Sequence, residues 1–129
     1  MTSSTNPALG RIHQIAQPIH DIDRAVAFYR DTLGLPFLFA APPSLAFFDC
    51  GGVRLMLSPP SPGHDHPGSV LYFAVDDIQA AHAALTARGA AFSDPPKKIA
   101  TLPDREVWLA AFADTEGNSL ALMSEPRIA

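Results

Sequence analysis

The feature that most constrains this chain is a segment that occurs twice, 55 residues apart. The first copy runs from Asp21 to Gly34 and the second from Asp76 to Gly89. Aspartate is a favoured N-cap because its carboxylate accepts hydrogen bonds from the free N–H groups of the first helical turn. Glycine often follows the last turn because it adopts positive φ without a steric clash. The spacing therefore predicts two capped helices in a duplicated unit.

Alternating apolar and polar residues flank each predicted helix and indicate β-strands. The predicted elements of the first copy are a strand over 11–19, a helix over 22–33, and strands over 36–40, 45–49 and 53–58. Those of the second copy are a strand over 69–75, a helix over 77–88, and strands over 90–92, 106–113 and 119–124, with a mobile loop over 93–104. Each copy is thus a βαβββ unit.

Two such units predict an α+β fold, in which tandem βαβββ modules form a cupped, partly closed mixed sheet. We expect one domain over 1–129, with a first module over 9–60 and a second over 69–125. Residues 61–68 are rich in proline and glycine, which disfavour helices and central strands, so this segment is predicted to be a linker.

Alternation along the strands separates the side chains that face the helices from those that line the cup. Leu55, Leu57, Leu120 and Leu122 are predicted to face the helices. The predicted ligand pocket in the cup consists of Gln14, Arg54, Met56, Tyr72, Trp108 and Ala121. An arginine there either binds a carboxylate or phosphate or pairs with a surface acid.

Composition excludes several classes of function. The formal charge is −4 and the 9 basic residues are dispersed, which argues against a nucleic-acid partner. The apolar runs are far shorter than a membrane span, and no secretory signal pattern precedes the first strand, so we expect a cytoplasmic protein. The single cysteine, Cys50, excludes an internal disulfide and fits a reducing compartment.

Four segments carry a resemblance to a known family. They are Ala-Phe-Tyr-Arg-Asp-Thr-Leu-Gly-Leu (27–35), the hairpin over 48–55, the segment over 72–78 and the closing hairpin over 114–122. Together they resemble the vicinal oxygen chelate superfamily, which includes glyoxalase, bleomycin-resistance proteins and extradiol dioxygenases. The resemblance covers roughly residues 9–125 and implies a homodimer that holds a small molecule in the cup.

The resemblance also implies four positions at which metal enzymes of this superfamily place their ligands. In this sequence they are Gln14, Met56, Ala121 and either Ser69 or Val70. Only glutamine is a usual ligand among these residues, and none of the four is anionic. We therefore expect no metal and no cofactor, and a protein that binds a small apolar or aromatic metabolite or drug.

Two alternatives remain open at the level of the sequence. The first is a metal-dependent lyase, isomerase or dioxygenase with a displaced site, for which the candidate groups are Gln14, Arg54, His64, His66 and Glu106. The second is a structural or regulatory dimer whose concave face is filled by its own side chains.

Overall fold

The computed structural model describes residues 7–60 and 68–128, which form two β-sheets, each with a helix on one face. In the first module the strand order across the sheet is β1-β4-β3-β2, and only β1 and β4 run parallel. Its elements are β1 (Gln14–Pro18), α1 (Ile22–Ala27) with a π-helical continuation (Phe28–Thr32), β2 (Phe37–Ala41), β3 (Leu45–Cys50) and β4 (Val53–Ser58).

The second module repeats this order with one additional strand. Its elements are β5 (Leu71–Ala74), α2 (Ile78–Ala87), β6 (Ala91–Phe92), β7 (Lys97–Thr101), β8 (Glu106–Ala113) and β9 (Ser119–Ser124). Strand β5 pairs in parallel with β9, and β8 pairs with β9 on one side and with β6 and β7 on the other. The predicted α+β class and the tandem order are confirmed.

The prediction of a continuous loop over 93–104 was wrong, because this segment contains β7. Pro95 and Pro96 precede the strand and Pro103 follows it, so the prolines flank the strand without interrupting its hydrogen bonds. Strand β7 also begins with two lysines and has a register shift between Lys98 and Ala100. Such irregular, charged edge strands lack the alternation by which strands are recognised.

The first helix with its π-helical continuation is one residue longer than α2, so the distance between the two capping residues differs by one from the predicted repeat of 55. The caps are Asp21 and Asp77, whose Oδ1 atoms accept backbone N–H groups three residues on, at 3.1 and 3.0 Å. The expected second cap, Asp76, was wrong by one position. In the described ranges, neither helix is long and apolar enough to cross a membrane.

The π-helical turn explains this difference. The Leu33 N–H donates to the Phe28 carbonyl at 2.9 Å, an i→i+5 bond that holds one residue more than an α-helical turn. The glycines that end the two helices, Gly34 and Gly89, both have positive φ, at 74° and 96°. The glycines are 55 residues apart, whereas the capping aspartates are 56 apart.

One apolar core joins the two modules through the helix-facing sides of both sheets. Leu55, Leu57, Leu120 and Leu122 are buried there, as the alternation predicts. Tyr29, from the π-helical turn, is fully buried in the same core. Its hydroxyl donates to Asp114 Oδ2 in the second module at 2.7 Å.

The turn between β8 and β9 stabilises the start of α1 in the other module. The carboxylate of Glu116 accepts the backbone N–H groups of His20 and Asp21 at 2.8 and 2.9 Å. It also accepts the guanidinium of Arg24 at 2.7 Å. A carboxylate at a helix N-terminus satisfies free N–H groups and complements the helix dipole. These bonds lower the pKa of Glu116 to about 2, with the Arg24 hydrogen bond the largest cause.

A second close contact between the modules lies at Gly68. A methyl group added to this glycine would collide with Gln17 Oε1, and it would lie 2.9 Å from Pro18 Cδ and 3.1 Å from Asn118 Oδ1. Gln17 is fully buried, so its side chain has little room to move away. The end of the linker therefore requires glycine where the chain passes β1.

We predict that Gly68→Ala destabilises the protein by about 1–3 kcal/mol, the usual cost of overpacking a filled site. Equilibrium urea unfolding measures this change. The matched control is Gly10→Ala, since an added methyl group there meets no atom within 4 Å. Equal midpoints for the two variants would contradict the close contact.

We predict that Glu116→Gln lowers the free energy of unfolding at pH 7 by about 1.5 kcal/mol, because charge-assisted hydrogen bonds are lost. Since folding depresses the pKa of Glu116 from 4.5 to about 2, its contribution is complete above pH 4.5 and is lost as the pH falls towards 2.

Unfolding curves recorded at several pH values should therefore show the stabilities of wild type and Glu116→Gln converging below pH 4.5. The control is Glu125→Gln, which removes an exposed carboxylate 3.3 Å from Arg105 and should change the stability little. A difference between wild type and Glu116→Gln that stays constant with pH would be the contrary result.

Candidate functional site

The face of the first sheet that is turned away from α1, here called the helix-free face, carries a row of side chains across all four strands. Ala16, Met56, Phe47 and Phe39 lie opposite one another in the strand register. The rings of Phe39 and Phe47 are stacked, with centroids 4.4 Å apart and planes inclined by 25°. Phe39 is 46% exposed, so this stacked pair offers an aromatic surface to a ligand.

Arg54 lies beside this aromatic surface and is held in place by neutral groups. Its Nε donates to Gln14 Oε1 at 2.6 Å, and its guanidinium carbon lies 5.3 Å from the centre of the Phe47 ring. A cation over an aromatic face is attracted by the ring quadrupole. No carboxylate lies within 4 Å of this guanidinium in the described ranges, so the alternative of a paired surface acid is not met.

Gln14 and Met56 complete this group. The Gln14 amide nitrogen lies 3.8 Å from the Met56 sulfur, and both side chains share the helix-free face with Arg54. The structure thus brings together Gln14, Arg54 and Met56, as the alternation predicts. It adds Phe39 and Phe47, which are absent from the predicted pocket. Alternation along β3 indicates that Phe47 lies on the helix-free face. The face on which Phe39 lies does not follow from alternation, because β2 has a register shift between Phe37 and Phe39.

The second sheet presents a different surface on its own helix-free face. Tyr72 is 56% exposed and lies opposite Ala121, which in turn lies opposite Ala111. The neighbouring side chains on this face, Ala121 and Ala111, are small. Within the described residues, no hydrogen bond or ring contact joins Tyr72 to the group around Arg54.

Trp108 does not belong with these residues, which corrects its place in the predicted pocket. It lies opposite Ser124 and shares the face of β8 on which Ala110 packs in the core. Its indole N–H donates to Glu106 Oε1 at 3.0 Å. The carboxylate of Glu106 also lies 3.6 Å from Lys98 Nζ, and among the described residues no hydrogen bond or ion pair joins it to Gln14 or Arg54.

The strand register decides which residue at the start of the second module corresponds to Gln14. Ala16 lies opposite Met56 in the first sheet, and Tyr72 lies opposite Ala121 in the second. Met56 and Ala121 are equivalent, since each precedes a buried leucine that faces the helix. Ala16 therefore corresponds to Tyr72, and Gln14 corresponds to Val70. The register therefore selects Val70 rather than Ser69. The two positions differ by one residue because the π-helical turn adds one residue to the first helix.

The four positions do not fit a divalent metal ion. Gln14 carries the only hard donor among them, and its Oε1 already accepts a hydrogen bond from the Arg54 cation. A second cation at this oxygen would be repelled, and no carboxylate at the other positions compensates. Across residues 7–60 and 68–128, no cluster of three or more His, Cys, Asp or Glu side chains suits a metal. His64 and His66 lie outside the described residues.

Comparison with known proteins identifies the family. Residues 11–122 match the family model described as the Glyoxalase/Bleomycin resistance protein/Dioxygenase superfamily, so this chain belongs to that superfamily. Among curated protein sequences, none matches the chain.

Solved structures share the fold over nearly the whole chain, which confirms the predicted glyoxalase/bleomycin-resistance-like architecture. Lactoylglutathione lyase from Agrobacterium tumefaciens is 25% identical with a TM-score of 0.73, over 91% of this chain and 95% of that one. TnmS3, an antibiotic-binding protein from Streptomyces sp. CB03234, is 25% identical with a TM-score of 0.74, over 93% and 99%. A glyoxalase/bleomycin resistance protein from Streptomyces sp. CB03234 is 26% identical with a TM-score of 0.65, over 87% and 98%.

Proposed function

We propose that this protein binds a small apolar or aromatic metabolite or drug on the helix-free face of its first sheet, without a metal ion. The observation that carries the proposal is the group formed by Arg54, Gln14, Phe47 and Phe39. An aromatic ligand would stack on the exposed ring of Phe39. The likeness to an antibiotic-binding protein at 25% identity supports this class of ligand.

Arg54 gives the site a means of orienting its ligand. The guanidinium has five N–H donors, of which Gln14 Oε1 takes one. The remaining donors are available to a polar substituent at the edge of an aromatic ring. Since Met56 is a flexible, polarisable side chain beside them, it would adapt to ligands of different shape. Tyr72 and Ala121 would supply a second apolar wall.

We further propose that the protein acts as a homodimer, as the family resemblance implies, and that it acts in the cytoplasm, as the composition and the single cysteine indicate. Phe39, Tyr72 and Val70 are about half exposed on the helix-free faces of the described chain. Exposed apolar patches mark surfaces that bind ligands or other proteins, and these side chains would contribute to such a surface. A second copy would cover part of them and enclose the ligand.

Native mass spectrometry of the purified protein should therefore show the mass of two chains and an additional small-molecule mass.

Phe39→Ala should weaken the binding of a neutral aromatic probe, 2-naphthol, by about twofold to tenfold in calorimetry, because a stacking surface is lost. The control is Phe37→Ala, since Phe37 lies on the same strand but contacts Phe48 in the core. Equal losses for both variants would contradict the proposed site.

The second candidate is a metal-dependent lyase, isomerase or dioxygenase with a displaced site. The likeness to a lactoylglutathione lyase at 25% identity favours it. The engagement of Gln14 Oε1 with Arg54 opposes a metal at the usual positions. Any metal would then have to be held elsewhere, and His64 and His66 are the candidate residues from the sequence.

We predict that protein dialysed against Ni²⁺ or Zn²⁺ retains far fewer than one ion per chain by elemental analysis. The same preparation should not convert a glutathione hemithioacetal. A content of about one tightly held ion per chain would instead favour the metal enzyme, since structural and catalytic sites bind stoichiometrically. Replacing His64 and His66 with alanine would then show whether the linker holds that ion.

A further inference from the structure

A cavity of about 320 Å³ lies on the opposite side of the second sheet from Tyr72 and Ala121. It is partly open to solvent and is lined by α2, by the helix-facing side of the sheet at Phe112 and Leu122, and by Leu33 at the end of the first helix. It therefore spans the junction between the two modules and is separate from the proposed site. Its volume is within the range of ligand pockets, which begins at about 300 Å³.

The cavity exists because the side chains of α2 on this side are small. Ala81, Ala84, Leu85 and Arg88 line it and follow the i, i+3, i+4, i+7 spacing of one helix face. Two alanines in this row leave the space that larger side chains would fill. The result is an apolar cavity that is open to solvent at Ala84 and Arg88, so a ligand can enter from that side.

Among the described residues that line the cavity, Arg88 is the only charged one. Its Nη1 donates to the carbonyl oxygen of Thr32 at 3.2 Å, which places the guanidinium between α2 and the end of the first helix. In the part of the chain that the structure describes, no carboxylate lies within 4 Å of Arg88. A guanidinium with free N–H groups beside an apolar cavity is suited to a carboxylate on an apolar body.

We propose that this cavity is a second ligand site, which binds a small hydrophobic monocarboxylate. The apolar body lies between α2 and the sheet, against Leu85 and Leu122, and the carboxylate accepts hydrogen bonds from Arg88. Because the ligand contacts Leu33 as well as α2, its binding joins the two modules. This site is independent of the group around Arg54.

The test uses the full-length protein with methyl groups labelled for NMR, and 4-phenylbutyrate and its neutral amide, 4-phenylbutanamide, as probes. The acid should shift the methyl signals of Leu85, Leu122 and Val75. Arg88→Gln should weaken binding of the acid about tenfold or more, because a charge-assisted bond is lost, and should leave binding of the amide unchanged. Ala84→Leu should abolish binding of both probes by filling the cavity.

The matched control is Arg30→Gln, which removes an exposed arginine of the first helix that pairs with Asp31. It should bind both probes as the wild type does. If Ala84→Leu does not fold, the comparison of acid and amide in Arg88→Gln still decides the question, since that side chain lies at the surface. The proposal is overturned by equal affinity of wild type and Arg88→Gln for the acid, by shifts at Met56 or Met123 instead, or by no binding at millimolar concentration.

Discussion

The structure depends on the carboxylates of the turn between β8 and β9, which hold the first module against the second. Glu116 provides hydrogen-bond acceptors for the start of α1, and Asp114 accepts the buried hydroxyl of Tyr29. Asp114 also accepts the backbone N–H groups of Glu116 and Asn118, which keeps the turn rigid. Burying a carboxylate costs free energy unless its hydrogen bonds are made. Because these hydrogen bonds cross between the modules, they fix the position of one module relative to the other.

The one-residue difference between the helices has consequences at the site. The π-helical turn lets Tyr29 reach Asp114 while Gly34 still ends the helix with positive φ. It also moves the cap of α1 by one position relative to that of α2. In a strand, a shift of one residue exchanges the two faces, so counting from the wrong cap would assign Ser69 in place of Val70 to the helix-free face. A local irregularity of the helix thus alters how the strands are compared.

The chemistry of the helix-free face follows from a cation in contact with a neutral amide. Arg54 engages the oxygen of Gln14 and lies over Phe47, so the place where the superfamily's enzymes hold a metal has a fixed positive charge in this chain. An arginine held in this way supplies directional hydrogen bonds without the geometric demands of a metal ion. The same fold occurs in a lactoylglutathione lyase and in an antibiotic-binding protein, because function resides in the site rather than in the fold.

The sequence by itself determined the first cap, Asp21, the glycine ends, the tandem order of the two modules and the alternation that places Gln14, Arg54 and Met56 on one face. These features depend on local periods and on single residues, such as aspartate at a cap. Only the tertiary structure decided the strand β7, the π-helical turn, the pairing of Phe39 with Phe47 and the packing of Trp108 against the core. Each of these depends on register or packing between distant segments, which a residue's own neighbours in the sequence do not specify.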